Sequence, residues 1–473
     1  MVSKHARSGS RPTSRKLELS TAAPWLWLAL LAAVAALLGG SSRPDAVQIA
    51  ALRPLAALFL IPALYHLSLS QLSQAKGLLW LLGLFAGWIA LQIIPLPPSL
   101  WQALPGREVI AELDRALSLG DTWRPISFVP SRSWNALASL VVAAAALLLA
   151  LSLRASPRML LLLIAGLGLF DALLGLMQVI SGRDSPLYIY AVTNRGSPVG
   201  IFANENHSAV FSAIALLVIA RLGATSKALK EVPWLRIAYP PAFVIVLLAV
   251  LVSGSRAGLA MAILSLIASG LMTWLALASA RSGRRGGRLE KWLAAHPRTL
   301  LLAFAGVIGG LLGAFFGLER APGFEDIFTK NPIEDLRWRL WPLLEQMIGT
   351  YWLLGTGFGS FEEFYHIYEP TELLLPNYVN QAHNDWAQLV IEGGLPALGI
   401  LIALFGWIAV SLRALLRAED FALGRLIFWG AAIAILCAAS IVDYPLRVPA
   451  FQLVAVWLLL TLALESSEPD EVK

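Results

Sequence analysis

The side chains of this 473-residue chain that are equipped for chemistry are few and far apart. Arg256 lies in Ser253-Gly254-Ser255-Arg256-Ala257-Gly258, and Arg337 and Arg339 flank Trp338. His383 lies in Gln381-Ala382-His383-Asn384-Asp385-Trp386, and Asp443 and Arg447 bracket Tyr444-Pro445-Leu446. A guanidinium stays charged at any working pH and grips phosphate oxygens in pairs. Two of them therefore suit a leaving group on which negative charge develops. An imidazole, with an unperturbed pKa of about 6.5, accepts a proton near neutrality. It can activate a hydroxyl as general base, or hydrogen-bond phosphate oxygens. Each residue also has a plain structural reading. Arg256 alone suits an arginine snorkelling at a membrane surface. His383 suits a helix start beside the capping residues Asn384 and Asp385, and Arg337 suits a surface partner for Glu334 or Asp335.

The elements that must position these groups are membrane helices. The chain is 58% hydrophobic and only 14% charged, with a mean hydropathy of +0.69, whereas soluble domains carry about 25% charged residues. A helix needs about 20 apolar residues to cross the hydrocarbon core. Twelve such runs can be read, at 24–40, 46–70, 77–95, 134–153, 159–180, 198–220, 237–255, 257–280, 299–318, 395–412, 426–442 and 448–464. The run at 46–70 carries Arg53 and Pro54, and that at 198–220 carries Glu205 and His207. Although a basic stretch precedes it, the first run is longer than a typical signal core and reads as an uncleaved helix. Asp171, Glu205 and His207, inside spans, suit either a proton relay or bonds to neighbouring helices.

Charge sets the orientation. The dense basic clusters at 281–298 and 413–425 fall on the same side as Lys4, Arg7, Arg11, Arg15 and Lys16 when twelve spans alternate, and that side is cytoplasmic by the positive-inside rule. Both termini are then cytoplasmic. Arg256, the Arg337–Arg339 segment, His383, Asp443 and Arg447 all fall on the opposite face, as a composite site requires. Two outer segments are long, 96–133 and about 319–382, and the second holds ten acidic against four basic residues. Within it Leu336, Leu340, Leu343, Leu344, Met347 and Ile348 recur at helical spacing, predicting an amphipathic helix over 334–349. Trp338, Trp341 and Trp352 suit an interfacial position.

The expected fold class is thus an all-α polytopic integral membrane protein with about twelve transmembrane helices and a large helical outer loop. Its expected parts are a basic tail (1–23), helices one to nine (24–318), the outer loop with interfacial helices (319–394), helices ten to twelve (395–464) and an acidic tail (465–473). The lone Cys437 allows no intramolecular disulfide. Gly355-Thr356-Gly357-Phe358-Gly359 lacks the Lys-Ser/Thr of a phosphate-binding loop and reads as a turn after the amphipathic helix. No His, Cys or Asp pattern calls for a metal ion, and the net charge of +6 reports membrane orientation rather than nucleic-acid binding.

Taken in order, several segments resemble the O-antigen ligase and polymerase superfamily, bacterial membrane glycosyltransferases of the GT-C class. They are Gly196 to His207 (Gly-Ser-Pro-Val-Gly-Ile-Phe-Ala-Asn-Glu-Asn-His), the Ser-Gly-Ser-Arg-Ala-Gly segment, Arg337 four residues before Trp341, and Leu354 to Gly359. His383-Asn384-Asp385-Trp386, Glu392-Gly393-Gly394-Leu395-Pro396 and Asp443 to Ala450 complete the series. The resemblance covers roughly 196–450. It implies a glycan donor on polyprenyl pyrophosphate, and a saccharide acceptor that is lipid A core or a growing polysaccharide. It further implies a bacterial inner-membrane location with a periplasmic site, inversion at the anomeric carbon, and neither metal nor cofactor. By the same resemblance Arg256, Arg337 and His383 form the catalytic set. Arg339, Asn204, Asn206, Asp443, Arg447 and Trp341 are the expected substrate-binding residues. Arg339 stands where relatives often have an acidic or neutral residue. Two alternatives remain open: a protein O-oligosaccharyltransferase using the same donor, and a lipid-linked glycan transporter. The latter would be expected to carry ionisable groups near the bilayer midplane.

Overall fold

The computed structural model describes residues 23–224, 235–282, 296, 306, 309–310, 332–374, 379–417 and 422–467. The chain starts with α1 (Ala23–Leu38), α2 (Val47–His66), the short α3 (Leu69–Gln74) and α4 (Lys76–Ile93). A connection then carries β1 (Pro95–Leu96), α5 (Pro98–Trp101), α6 (Glu108–Ala116) and β2 (Arg124–Pro125), the two strands pairing antiparallel. There follow α7 (Pro130–Ser152), α8 (Pro157–Ser181), α9 (Glu205–Ala224), α10 (Leu235–Val252) and α11 (Arg256–Ser282). The second outer segment supplies α12 (Pro332–Tyr351) and α13 (Phe361–Tyr368). The bundle closes with α14 (Asp385–Leu415), α15 (Ala422–Val442) and α16 (Pro449–Ser467).

Among the described residues nine helices are long and apolar enough to cross a membrane, and α1 and α10 are shorter apolar helices. Eleven of the twelve expected runs therefore carry a helix; the remaining run, 299–318, lies outside the described residues apart from 306, 309 and 310. The protein is an all-α, multi-pass membrane protein, and β1 and β2 are the only strands among the described residues. One expected boundary is corrected. The sixth span starts at Glu205 rather than 198, because Pro198 and the left-handed Gly200 (φ +57°) hold 198–204 in turns. The tenth run, 395–412, is the second part of α14; a first part precedes it from Asp385, where Asn384 caps the helix by accepting a hydrogen bond from the Ala387 N–H at 2.9 Å.

At the centre stands α9, 83% of whose apolar stretch is buried, against 17–28% for α2, α4, α11 and α14. Its neighbours approach through small residues, which is how helices pack where lipid supplies no hydrophobic drive. A Cβ added at Gly258 of α11 would sit 2.2 Å from the Ala209 Cβ, and one at Gly168 of α8 would sit 2.2 Å from that of Ala215. Gly39 and Gly40, ending α1, let three backbones cross. Ala450 N–H donates to Gly39 O at 2.8 Å, Ala203 N–H donates to Gly40 O at 2.9 Å, and a Cβ on Gly40 would strike Ile201 O at 1.8 Å.

The helix α14 is broken at Gly394 (φ +60°, ψ −158°), a conformation open in practice only to glycine. Pro396 has no N–H to give Glu392 O, so the break leaves carbonyls seeking donors. Every one of them is met. Ile391 O accepts from Thr356 N, Glu392 O from Gly357 N and the Gln92 Nε2, and Gly393 O from the Trp88 Nε1, at 2.7–3.0 Å. The glycine-rich segment is therefore a turn between α12 and α13 that repairs the break in α14, and a Cβ on Gly355 would lie 2.3 Å from Glu392 O. We predict that Gly394→Ala lowers stability by about 2 kcal/mol or more, since it adds backbone strain to a clash 2.7 Å from Gly355 N. A thermal-shift measurement in detergent showing no loss would contradict this reading of the break.

Candidate functional site

Side-chain contacts bring several of the candidates together. His383 sits just before α14 with φ +51°, a left-handed backbone uncommon for a residue with a Cβ. Its Nδ1 lies 3.6 Å from Asp443 Oδ1, on the turn between α15 and α16. On the other side of that oxygen, 3.5 Å away, is Nε2 of His207 from the first turn of α9. The Tyr444 ring stands edge-on to both imidazoles with centroids 5.0 Å from each, and its backbone N–H donates to Asp443 Oδ1 at 3.0 Å. Asp443 is 1% exposed. Burial by itself would raise its pKa, but the contacts with His207 and then His383 outweigh it and hold the carboxyl well below the ordinary carboxylate range. Asp443 is therefore anionic throughout the neutral range.

Arg256 joins this group through α9. It is the first residue of α11, and the preceding Ser255 Oγ donates to Asn206 Oδ1 at 2.7 Å, one residue from His207. Asn204 acts as a cap, its Oδ1 accepting the Asn206 N–H at 2.8 Å. The loop before α9 is fixed from below by α8. Asp171 accepts Ile201 N–H and Ser208 Oγ–H, both at 2.8 Å, and Gln178 binds both the N–H and the carbonyl of Gly200. Asp171 thus forms bonds to neighbouring elements, the second of its two sequence readings.

Arg447 is held between two carboxylates of α14, Asp385 Oδ1 at 3.2 Å from its Nε and Glu392 Oε2 at 2.9 Å from its Nη1. Both carboxylates are buried, and the pairing offsets what would otherwise be a costly desolvation. Ser440 Oγ and Leu446 N also donate to Asp385, and Phe361 N donates to Glu392.

Beside this network opens a cavity of about 450 Å³, within the usual range for ligand sites. Its lining holds the charged side chains of Arg43, Arg53, Arg132, Glu362, Asp385, Glu392 and Arg447 and apolar ones that include Leu78, Phe85, Ile89, Leu140, Leu147, Leu404 and Leu459. Leu78 and Ile89 are eleven residues apart on α4, so the apolar part runs about 16 Å along the helix. The arginines of this lining are paired: Arg43 with Asp45 at 2.8 Å, Arg53 with the Asn135 Oδ1 at 2.6 Å, and Arg132 with Glu363 and with Glu362 at 3.6 Å. Burial pushes the Glu362 carboxyl up, against the pull of Arg132.

The remaining candidates lie on α12. Arg337 is in this helix, but its side chain falls outside the described residues. Arg339 and Trp341 are exposed and line neither the cavity nor the histidine pair. The opposite stripe, Leu340, Leu344 and Met347, is buried in one cluster with Val379, Ala382 and Ile391. The amphipathic helix expected over 334–349 therefore backs the segment that presents His383. Tyr444, Asp385 and Glu392, together with Arg43 and Arg132 from the first half, belong to this region without having been singled out by spacing. Arg53 had one sequence signal, a charge inside an otherwise apolar run.

The described residues thus define a polytopic helical membrane protein in which an imidazole and a buried carboxylate stand near a cavity lined by paired guanidiniums and apolar side chains. A family model described as O-antigen ligase (Wzy_C) matches residues 241–402, about a third of the chain, and includes Arg256, Arg337 and His383. That match supports membership of the O-antigen ligase superfamily and an enzymatic activity of the glycan-transfer type. No curated protein matches the chain.

Proposed function

We propose that this chain transfers a glycan from polyprenyl pyrophosphate to a saccharide hydroxyl, as an O-antigen ligase or polysaccharide polymerase does, at the periplasmic face of a bacterial inner membrane. The observation that carries the reading is the imidazole of His383 beside anionic Asp443, next to a cavity lined by four arginines with their carboxylate and amide partners and by apolar side chains. The apolar lining suits an isoprenoid chain lying along α4, and the arginines suit a diphosphate that takes the place of their present partners. In the transfer, the acceptor O–H bond breaks as its oxygen bonds to the anomeric carbon from the face opposite the pyrophosphate. The proton passes to Nε2 of His383, and the electron pair of the broken C–O bond leaves with the pyrophosphate. Asp443, beside Nδ1, stabilises the imidazolium that forms. Arg256 and Arg337 take the charge growing on the diphosphate. Arg447, already neutralised by Asp385 and Glu392, lines the cavity, and Arg339 and Trp341 face outward towards an acceptor.

The test uses the purified full chain in liposomes with a defined polyprenyl-pyrophosphate glycan, a lipid A core acceptor or an oligosaccharide acceptor, and a chelator. Transfer with release of polyprenyl pyrophosphate is expected on one of the saccharide acceptors. Transfer only to a serine or threonine peptide, or passage of donor across the bilayer without transfer, would contradict the proposal.

A further inference from the structure

We infer that His207 is a positioning residue for the reaction, sharing the carboxylate of Asp443 with His383 and so setting how readily His383 holds a proton. The inference rests on the reading of His383 as the base. His207 lies in the first turn of α9, 176 positions before His383 in the chain, yet the two imidazoles meet one oxygen. Asp443 Oδ1 is 3.5 Å from His207 Nε2 and 3.6 Å from His383 Nδ1. Both nitrogens are buried and neither completes a hydrogen bond elsewhere. Tyr444 fills the angle between the rings, 5.0 Å from each. His207 is 2% exposed, whereas 15% of the His383 side chain is open. His383 is therefore the member of the pair that meets an acceptor, and His207 acts through the carboxylate.

The physical consequence concerns protons. The two nitrogens lie no more than about 7 Å apart, a separation at which one positive charge disfavours a second by about one to two pH units. Two imidazoles facing one carboxylate are therefore coupled, a proton on one opposing a proton on the other. On this inference the presence of His207 keeps His383 competent as a base further into acid than Asp443 alone would. Among the described residues, the other charged and titratable groups on the elements that form the pair are Tyr444, Asp385 with its partner Arg447, Glu205 on the first turn of α9, and Arg256 beyond Ser255 and Asn206. All are retained in the variants below.

The experiment compares the pH dependence of kcat/KM for wild type, His207→Gln and His207→Asn in liposomes, with His383→Gln as control. A second readout needs no donor: the rate at which diethyl pyrocarbonate modifies His383, followed by peptide mass spectrometry across the same pH range. Removing His207 should move the acid limb up by roughly half to one pH unit and narrow it to a single-proton curve. The modification rate of His383 should move by the same amount. Superimposable profiles, or a loss equal at every pH, would overturn the inference and leave the role of His383 standing. An acid limb that persists in His383→Gln would instead remove His383 as the base.

Discussion

Replacing His383 by alanine or by glutamine should lower the rate of glycan transfer by about 10²–10⁴-fold, the usual worth of a positioned general base. The expectation follows from three observations at one residue. The backbone of His383 is held left-handed at φ +51°. Its Nδ1 is directed at a buried carboxylate, and its ring stands edge-on to Tyr444. A histidine whose Nδ1 faces a buried carboxylate presents Nε2 to what lies outside. The two variants separate the two chemistries that an imidazole offers here. Glutamine can still hydrogen-bond a phosphate oxygen but cannot take a proton near neutrality. If the residue served only to hold the diphosphate, His383→Gln would keep most of the wild-type kcat. Equal, large losses in both variants, with the donor KM little changed, are the result the base role requires.

Replacing Arg256 by alanine should cost about 10²–10³-fold in kcat, comparable to the removal of one oxyanion-stabilising donor from a preorganised site. Its position makes the expectation specific. Arg256 opens α11 where α11 and α9 touch through Gly258 and Ala209, and Ser255 ties that start to Asn206, one residue from His207. The start of α11, and with it the backbone of Arg256, is thus fixed by the same helix that brings His207 to Asp443. Arg256→Lys keeps the charge but loses paired hydrogen bonding, so its activity should fall between wild type and alanine. Steady-state kinetics with a defined donor measure the series, and full activity in both variants would remove Arg256 from the site.

Much of this was legible in the sequence, for reasons that differ by element. Long apolar runs mark spans because a backbone in lipid has helix as its only open-ended solution, and eleven runs do carry helices. Alternation then put Arg256, His383 and Asp443 on one face, and the contacts of His383 with Asp443 and of Asn206 with Ser255 bring their elements together. The amphipathic stripe Leu340, Leu344 and Met347 was readable for the same reason of periodicity. What spacing could not supply was partnership. His207 reads as one polar residue in a span, and only the fold brings it within reach of a carboxylate 236 positions later. Glu392 and Asp385 lie seven residues apart on α14, a spacing that puts them on one face, yet nothing local names Arg447 as the cation between them. The cavity is less legible still, since its walls come from α2, α4, α7, α14 and α16. The first part of α14 was hidden by Gly393-Gly394-Leu395-Pro396, which reads as a helix boundary, whereas the fold repairs that break with Thr356, Gly357, Gln92 and Trp88.

The most direct test of the central claim is an experimental structure of the protein with a polyprenyl-pyrophosphate glycan bound. The diphosphate is predicted to lie within hydrogen-bonding distance of Arg256 and Arg337, with His383 Nε2 turned towards the anomeric carbon and the isoprenoid chain between α4 and α14. A donor whose diphosphate sits at the opposite end of the bundle, near Arg221 and Glu465, or in a crevice that none of these three side chains reaches, would contradict it.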